Sequence, residues 1–301
     1  MARAYSRLIL GCGSFGGVGS APAFFGQGLN EDEAFALMDA AWNAGITAFD
    51  TADAYGGGRS ETYIGAWRRR TGHDPVLTTK TFSPMDEGED GGLAPERVRR
   101  QLDSSLRRLG VERVDVYLAH AWDDEVPIAE VAGVFDELVA AGKIGAYGLS
   151  NVDGAQLREA IAVGSFGWVQ NSYSLLDREA ERDVLPLCAV HALGFTPFSP
   201  LTGGWLTGKY KRGEAPPPGS RMTQRPEPYE HLRTDAVFDS LDRLQEMGDP
   251  ATLAFGWLLA EPRVTAVVVG PGRPAHLQPA LAALASPLTE GERAKIAAAF
   301  G

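Results

Sequence analysis

The sequence predicts an α/β fold in which eight parallel strands close into a (β/α)8 barrel, the TIM-barrel architecture, with long loops at its C-terminal face. Short apolar runs alternate with amphipathic helical runs along the whole chain, which is the pattern of βα units on a parallel sheet. The apolar runs number eight, and 301 residues suffice for such a barrel of ~250 residues with insertions. Because no linker or composition break divides the chain, we expect one domain over residues 1–301.

The predicted strands and helices alternate in order. The strands are Leu8–Cys12, Thr47–Asp50, Val76–Lys80, Val114–Ala119, Ile144–Leu149, Trp168–Asn171, Phe195–Ser199 and Thr265–Val269. The helices lie near residues 31–44, 59–71, 95–109, 128–141, 154–163, 179–192, 249–260 and 275–284.

Capping residues mark two of these helices. Asn30 precedes the first one as an N-cap, and Glu33 completes a pattern like a capping box. Pro95 stands in the first turn of the third helix, and Gly110 follows its last turn. These signals support the predicted helix boundaries.

Two long loops follow predicted strands and are expected at the C-terminal end of the barrel. Gly203–Arg233 contains a run of three prolines and shows no structure of its own, and Ser83–Gly92 is acidic and rich in glycine. Loops of this length are usually functional or mobile. In a parallel barrel the loops at this end carry the chemistry.

Composition narrows the class of protein. The net charge is −11, with 28 Lys and Arg against 39 Asp and Glu, so nucleic acid is not an expected partner. No apolar run approaches the ~20 residues of a membrane span, and the N-terminus leads directly into Leu8–Cys12 without a signal sequence. Cys12 and Cys188 match no zinc or redox spacing. We therefore expect reduced cysteines, no membrane partner and a cytoplasmic location.

A glycine-rich segment near the start resembles a dinucleotide fingerprint. Gly11–Gly16 matches G-x-G-x-x-G after a strand, but a Rossmann fold needs a helix that begins at the third glycine. Instead Gly17, Gly19 and Pro22 follow, and helical spacing begins only at Glu31. We therefore interpret the segment as a barrel strand whose glycines let a ligand approach the backbone.

Ionisable residues end three consecutive predicted strands. Asp50, Lys80 and His120 stand at the ends of the second, third and fourth strands, and Tyr55 follows Asp50 in the next loop. Singly, a lysine or histidine at a strand end is more often a surface charge or a structural residue. Together, the four side chains can converge over the mouth of a barrel.

Such a group suits the reduction of a carbonyl. Hydride addition leaves an alkoxide, which needs a proton donor and electrostatic stabilisation. A phenol has a reference pKa of ~10, and the Lys80 ammonium beside Tyr55 is expected to lower it. Asp50 would hold the ammonium charged and oriented, and His120 would position the carbonyl oxygen.

The segment Phe49–Gly56, Phe-Asp-Thr-Ala-Asp-Ala-Tyr-Gly, resembles the aldo-keto reductase signature F-D-T-A-x-x-Y-G, and Gly58–Glu61 continues the likeness. The resemblance runs from Leu8 to the C-terminal helix. It implies NADPH-dependent reduction of an aldehyde or ketone to an alcohol. The catalytic tetrad that it implies is Asp50, Tyr55, Lys80 and His120.

The resemblance also implies a set of cofactor-binding residues. Ser150, Asn151 and Gln170 would bond the nicotinamide carboxamide, and Phe198 would stack on the ring. Ser199, Leu201 and Gly203 would hold the pyrophosphate. The segment from Gly204 to Tyr210 is similar to a loop of bacterial reductases and of potassium-channel β subunits, so Lys209 and Arg221 would close over the phosphates. After the last strand the candidates are Gly270, Gly272, Arg273 and His276.

The last of these segments departs from the family pattern G-A-x-x-x-x-Q-x-x-E-N. His276 stands at the Gln position, and Pro279-Ala280 replaces Glu-Asn. The usual adenine contacts are therefore weakened or replaced. Arg273 and His276 remain to pair with a 2′-phosphate. NADPH is the expected cofactor, with NADH as the alternative.

Other functions compete with the reductase. A regulatory protein of the channel-β type would keep the cofactor as a redox sensor with vestigial catalysis. An aldolase would use Lys80 as a Schiff-base nucleophile. A metallo-hydrolase is disfavoured because the five histidines form no close ligand pair, so no metal is expected. The partner expected of the reductase is a small carbonyl compound, and the sequence does not decide between monomer and homo-oligomer.

Aromatic residues are expected to wall the substrate pocket. They come from Phe15 and the loop up to Gly28, from Phe82–Gly92, from Trp122 and from the Trp205 region. Such walls suit an apolar or sugar-like carbonyl compound. The same composition could simply cover the barrel end.

Overall fold

The computed structural model describes residues 5–86 and 89–301, in which eight parallel strands form one sheet. Their order is β7-β6-β5-β4-β3-β2-β1-β8. The strands are β1 Leu8–Gly11, β2 Ala48–Asp50, β3 Val76–Thr81, β4 Val114–Ala119, β5 Ile144–Ser150, β6 Trp168–Gln170, β7 Gly194–Phe195 and β8 Val267–Val269.

Backbone hydrogen bonds close this sheet into a barrel. β8 pairs with β1, where Ile9 faces Val268. On the other side, the Thr265 N–H donates to the Phe195 carbonyl at 2.8 Å, and the Val268 N–H donates to the Pro197 carbonyl at 3.0 Å. The chain therefore returns to its first strand, and the predicted (β/α)8 barrel is confirmed.

Helices surround the strands. They are α1 Glu31–Asn43, α2 Arg59–Thr71, α3 Pro95–Leu109, α4 Ile128–Ala140, α5 Gly154–Val163, α6 Val184–Val190, α7 Arg221–Gln224, α8 Asp235–Met247, α9 Pro250–Leu259, α10 Gln278–Ala285 and α11 Glu290–Ala298. The predicted capping box of α1 is present, with the Glu33 N–H donating to Asn30 Oδ1 at 3.0 Å. Within residues 5–86 and 89–301, none of these helices could cross a membrane.

The structure corrects several predicted boundaries. The strand predicted at Phe195–Ser199 is only the two residues of β7, because Pro197 lacks an N–H for the ladder and Ser199 has a left-handed φ of 54°. The helix predicted over 179–192 is split into a 3-10 turn, Glu179–Glu181, and α6, because Asp183 leaves helical geometry at φ −145°.

Residues 203–233, predicted to lack structure, contain α7 and two 3-10 segments, Thr202–Thr207 and Glu227–Leu232. The same stretch leads into α8, which the sequence analysis missed. Its start is capped by Thr234, whose side chain accepts from the Val237 N–H.

The core has two layers separated by the sheet. Leu8 and Leu10 point outward into the large cluster between strands and helices. Ile9, pointing inward, joins a small apolar cluster inside the barrel that includes Val76 and Val268. Tyr5 packs on that cluster and bonds Thr78 at 2.6 Å. Apolar residues thus fill part of the barrel interior, and the polar residues described next lie at the carboxyl ends of its strands.

Candidate active site

Asp50 and Lys80 form a buried ion pair at the carboxyl ends of β2 and β3. Strand alternation turns both side chains inward, where they are 3% and 0% exposed. Lys80 Nζ lies 2.6 Å from Asp50 Oδ1 and donates to the Thr51 carbonyl at 2.8 Å. Burial is the largest single effect on the pKa of Lys80 and lowers it, but Asp50 and, secondly, Tyr55 together outweigh burial, and the net pKa is raised. Lys80 is therefore an ammonium.

Tyr55 and His120 complete the group. Tyr55 follows β2 in a 3-10 turn, and the Gly56–Gly58 triplet, with φ of 59°, 65° and 84°, turns the chain into α2. The Tyr55 hydroxyl lies 3.4 Å from His120 Nε2. Lys80 Nζ lies 5.1 Å from the centroid of the Tyr55 ring. The structure thus brings together all four side chains that the sequence singled out.

The protonation states of the two ring residues follow from burial. Burial raises the pKa of Tyr55 more than the Lys80 ammonium lowers it, so the net pKa lies above the ordinary value. The Lys80 ammonium lowers this pKa as expected, but desolvation is the larger effect. Burial and, secondly, Lys80 lower the pKa of His120 to about 3. Near neutral pH the site holds a protonated phenol and a neutral imidazole.

The polar residues that end β5 and β6 are bonded into the same group. Gln170 donates from Nε2 to the second oxygen of Asp50 at 2.8 Å. Asn151 has a left-handed φ of 59°, and its amide donates to the His120 carbonyl at 2.8 Å and to Ser150 Oγ at 3.1 Å. These side chains fix the backbone and the carboxylate around the site.

The chain after β7 is tightly turned. Ser199, Thr202, Gly203 and Gly204 all have left-handed φ values, of 54°, 47°, 62° and 92°. Successive N–H groups in a turn of this kind can form a concavity that binds anions. Leu201 precedes the 3-10 segment and accepts from the Gly204 N–H at 2.8 Å.

A cavity of about 500 Å³ adjoins this turn. Phe198, Ser199 and Thr202 line it, together with Ser172 and Tyr229. The Phe198 ring is partly exposed, and its backbone N–H bonds the Asn171 carbonyl at 3.0 Å. The cavity is therefore lined both by the aromatic ring of Phe198 and by the turn at Ser199 and Thr202, whose backbone can bind an anion.

Positive charge gathers at the ends of the β7 and β8 loops. Arg273 Nε lies 2.9 Å from His276 Nε2, and the Gly272 N–H lies 3.3 Å from the other ring nitrogen. Burial lowers the pKa of His276, and Arg273 and Lys209 lower it further, so Lys209 belongs to the same cluster. A methyl group on Gly204 would lie 2.4 Å from Lys209 Nζ, so this ammonium lies over the turn after β7.

Two further predicted cofactor residues lie outside the contacts given above. Arg221 begins α7, and its side chain is partly exposed. Gly270 follows β8 and is exposed, with open space around its Cα.

These residues fit a nicotinamide dinucleotide. The partly exposed Phe198 ring can stack on an aromatic ring, and the left-handed turn beside the cavity can hold a pyrophosphate. The charges of Lys209 and Arg273 suit a phosphate group. His120 Nδ1 is buried and has no partner among the described residues, so the site retains unused polar capacity. In the same part of the chain, no three His, Cys, Asp or Glu side chains are grouped to hold a metal.

Two expected walls of the substrate pocket are core residues instead. Phe15 is fully buried, and Trp205 is 1% exposed and packs on Tyr210, with ring centroids 5.1 Å apart. Phe82 and Trp122 are partly exposed, as a pocket wall requires. The error arose because aromatic composition does not reveal which rings the long loop covers.

Sequence reasoning also missed several supporting residues. Asp53 is fully buried beside Tyr55, and its signal was the second carboxylate within Phe49–Gly56. Tyr229 packs on Gly203, where a methyl group would lie 2.6 Å from its ring. No sequence signal marked Tyr229, because its segment was read as irregular.

Comparison with known proteins agrees with this geometry. The sequence model of the aldo/keto reductase family matches residues 7–300. The uncharacterized oxidoreductase YrpG of Bacillus subtilis is 36% identical over 266 residues, or 82% of this chain and 80% of YrpG. A putative voltage-gated potassium channel subunit beta of Schizosaccharomyces pombe is 32% identical over 272 residues, or 83% and 78% of the two chains.

Solved structures give the same result. The glycerol dehydrogenase of Gluconobacter oxydans aligns with a TM-score of 0.83 and 25% identity, covering 98% of this chain and 91% of that one. From its first strand to its last helix, this chain belongs to the aldo/keto reductase family of NAD(P)H-dependent oxidoreductases.

Proposed function

We propose that this chain is an NADPH-dependent reductase that converts a small aldehyde or ketone to an alcohol, with Tyr55 as the proton donor. The observation that carries the proposal is the contact of the Tyr55 hydroxyl with His120 Nε2, 3.4 Å apart, beside the buried Lys80–Asp50 pair. We further propose that the chain acts as one domain in the cytoplasm. Its two cysteines, both buried and unpaired, suit a reducing compartment.

The proton donor follows from the charges in the site. Bound NADPH supplies the hydride. The alkoxide that forms takes the proton of Tyr55, which is held as a phenol by its raised pKa. The phenolate left behind lies near the Lys80 ammonium, which stabilises it. Asp50 keeps that ammonium charged and in place.

His120 would orient the carbonyl oxygen. Its lowered pKa keeps the imidazole neutral, so it carries one proton. We assign that proton to Nε2, which faces Tyr55, because Nδ1 is buried without an acceptor among the described residues. A neutral donor at this position polarises the carbonyl without competing with Tyr55 as the acid.

The charge cluster supports NADPH as the nucleotide. Within the described residues, Lys209 and Arg273 have no carboxylate partner, so both are available to a 2′-phosphate. The adenine side offers less, since Ala280 is fully buried in α10 and Pro279 has no polar group. We therefore attribute the preference for NADPH over NADH to the charges of Lys209 and Arg273 and not to contacts with the adenine base.

The regulatory alternative has one observation in its favour, the similarity to a putative potassium channel subunit beta. A panel of nitrobenzaldehydes and short aldoses, with NADPH or NADH in excess over protein, separates the two functions. The reductase predicts many turnovers of NADPH per chain on at least one aldehyde. A redox sensor predicts a single stoichiometric oxidation on every aldehyde, and that result would overturn the proposal.

A further inference from the structure

We propose that Asp53 is a positioning residue for Tyr55: its buried carboxylate fixes the Tyr55 loop to the end of β3 through Thr81 and Arg97. The inference rests on the proposed role of Tyr55 as proton donor. Asp53 has no hydrogen bond to the Tyr55 side chain among the described residues and does not line the cavity, so it would act through the backbone that joins it to Tyr55.

Asp53 bonds its own loop and the neighbouring strand at once. One carboxylate oxygen accepts from the Ala54 N–H at 2.7 Å, and the other accepts from Thr81 Oγ1 at 2.6 Å. The Asp53 N–H donates to the Lys80 carbonyl at 3.0 Å. Asp53 is fully buried, and so is Thr81. Asp53 is thus tied to Lys80 and Thr81, the two residues that end β3, and its carboxylate also holds the Ala54 N–H of its own loop.

Arg97 anchors this contact from α3. Its guanidinium is buried and donates to Thr81 Oγ1 at 2.9 Å. It also donates to the carbonyls of Ser83 at 2.8 Å and Gly92 at 2.9 Å. Since Arg97 donates to Thr81, the single Thr81 hydroxyl proton is left for Asp53. While Asp53 is a carboxylate, donation therefore runs in a single direction, from Arg97 to Thr81 and from Thr81 to Asp53.

The same strand offers a matched control. Thr79, two residues before Thr81, donates to Glu61 Oε1 at 2.6 Å, the same distance as the Thr81–Asp53 bond. Thr79 and Glu61 are also fully buried, and Glu61 pairs with Arg108 at 2.7 Å. Glu61, however, lies on α2 and not on the loop that leads to Tyr55.

The charge of Asp53 responds to pH in the neutral range. Burial raises its pKa to about 7, and Glu61 raises it as well, while Thr81, Arg97 and the Ala54 N–H lower it. Tyr117 also lies near Asp53. Burial is the larger cause of the raised pKa of the Tyr117 phenol, and the Asp53 carboxylate raises it further. Protonation of Asp53 reverses its bond to Thr81, because the Asp53 hydroxyl then donates to Thr81 Oγ1 and the Thr81 proton loses its acceptor. We therefore expect the Tyr55 loop to be held less firmly as pH falls.

The test compares Thr81→Val with Thr81→Ser and Thr79→Val, measuring aldehyde reduction, NADPH affinity and the thermal midpoint. We expect Thr81→Val to lower kcat by about tenfold, because a small misplacement of a reacting group is costly. We expect Thr81→Ser and Thr79→Val to keep kcat within about twofold, and NADPH affinity to hold in every variant. Asp53→Asn should fix kcat at the low-pH level of the wild type across pH 6 to 8.

Two results would overturn the inference. One is a loss of kcat in Thr79→Val equal to that in Thr81→Val, which would show a general effect of destabilising β3. The other is an Asp53→Asn enzyme with the kcat and pH profile of the wild type. Failure of the proposed function is distinguishable from both, since the wild-type chain would then not reduce the aldehydes at all.

Discussion

Gln170 on β6 and Asp50 on β2 are joined across the barrel mouth by a hydrogen bond of 2.8 Å, although 120 residues separate them in the chain. The other oxygen of Asp50 pairs with Lys80 at 2.6 Å. Both oxygens of the carboxylate are therefore occupied, and its orientation is set from two sides of the barrel.

Removing the ammonium should cost both stability and activity. Lys80→Met leaves the buried Asp50 carboxylate without its charge partner, and we expect a loss of about 3–5 kcal/mol in the free energy of unfolding. Reduction should fall because the Tyr55 phenolate loses its stabilising charge. Denaturant unfolding measures the first effect. Arg99→Met, which breaks an exposed pair with Glu137, is the control and should cost at most about 1 kcal/mol. Equal losses in the two variants would contradict the account.

A second carboxylate beside Asp50 should make stability depend on pH. In Gln170→Glu, burial and the like charge would raise the pKa of the introduced carboxyl above its unfolded value. Its stabilising contribution is then present at low pH and is lost as pH rises through the raised pKa. As pH rises from 5 to 8, the thermal unfolding midpoint of Gln170→Glu should fall relative to that of Gln170→Met. Parallel curves for the two variants would show that Gln170 does not face the carboxylate.

The nucleotide preference should depend on Arg273. We expect Arg273→Ala to weaken NADPH binding by about tenfold or more and to leave NADH binding nearly unchanged, since a charge-assisted bond to phosphate is lost. Fluorescence titration with both nucleotides measures this ratio. Arg69→Ala, in the last turn of α2, is the control. A parallel loss of affinity for NADPH and NADH would place the 2′-phosphate elsewhere.

Asp53 should also make the free energy of unfolding depend on pH. Its folded pKa of about 7 lies above the ordinary value of 3.8, so the folded state binds a proton that the unfolded state releases. The wild type should therefore gain on the order of 2 kcal/mol between pH 8.5 and 5.5 relative to Asp53→Asn. Unfolding of both proteins by denaturant at the two pH values measures this difference. A constant difference would mean that Asp53 does not titrate in this range.

The convergence of the four central residues could be predicted from sequence for a physical reason. Strand order and the alternation of side chains fix where Asp50, Lys80 and His120 point once a parallel barrel is assumed. Tyr55 follows from the short loop after β2. Each placement depends on local pattern, and local pattern is what a sequence displays.

What could not be predicted depends on packing between distant segments. Trp205 is a core residue because Tyr210, from the segment before α8, and Phe238, from α8 itself, pack on its ring. The net pKa of Tyr55 depends on how much surrounding chain excludes water, which no spacing reveals. The bond from Gln170 to Asp50 likewise needs the closed barrel.

The most direct test of the account is Tyr55→Phe, compared with Tyr5→Phe, whose hydroxyl bonds Thr78 inside the barrel. We expect Tyr55→Phe to bind NADPH normally and to lose about 10²–10⁴-fold in the rate of aldehyde reduction, the contribution of a positioned general acid. Tyr5→Phe should keep that rate. Reduction by Tyr55→Phe at the wild-type rate would contradict the central claim.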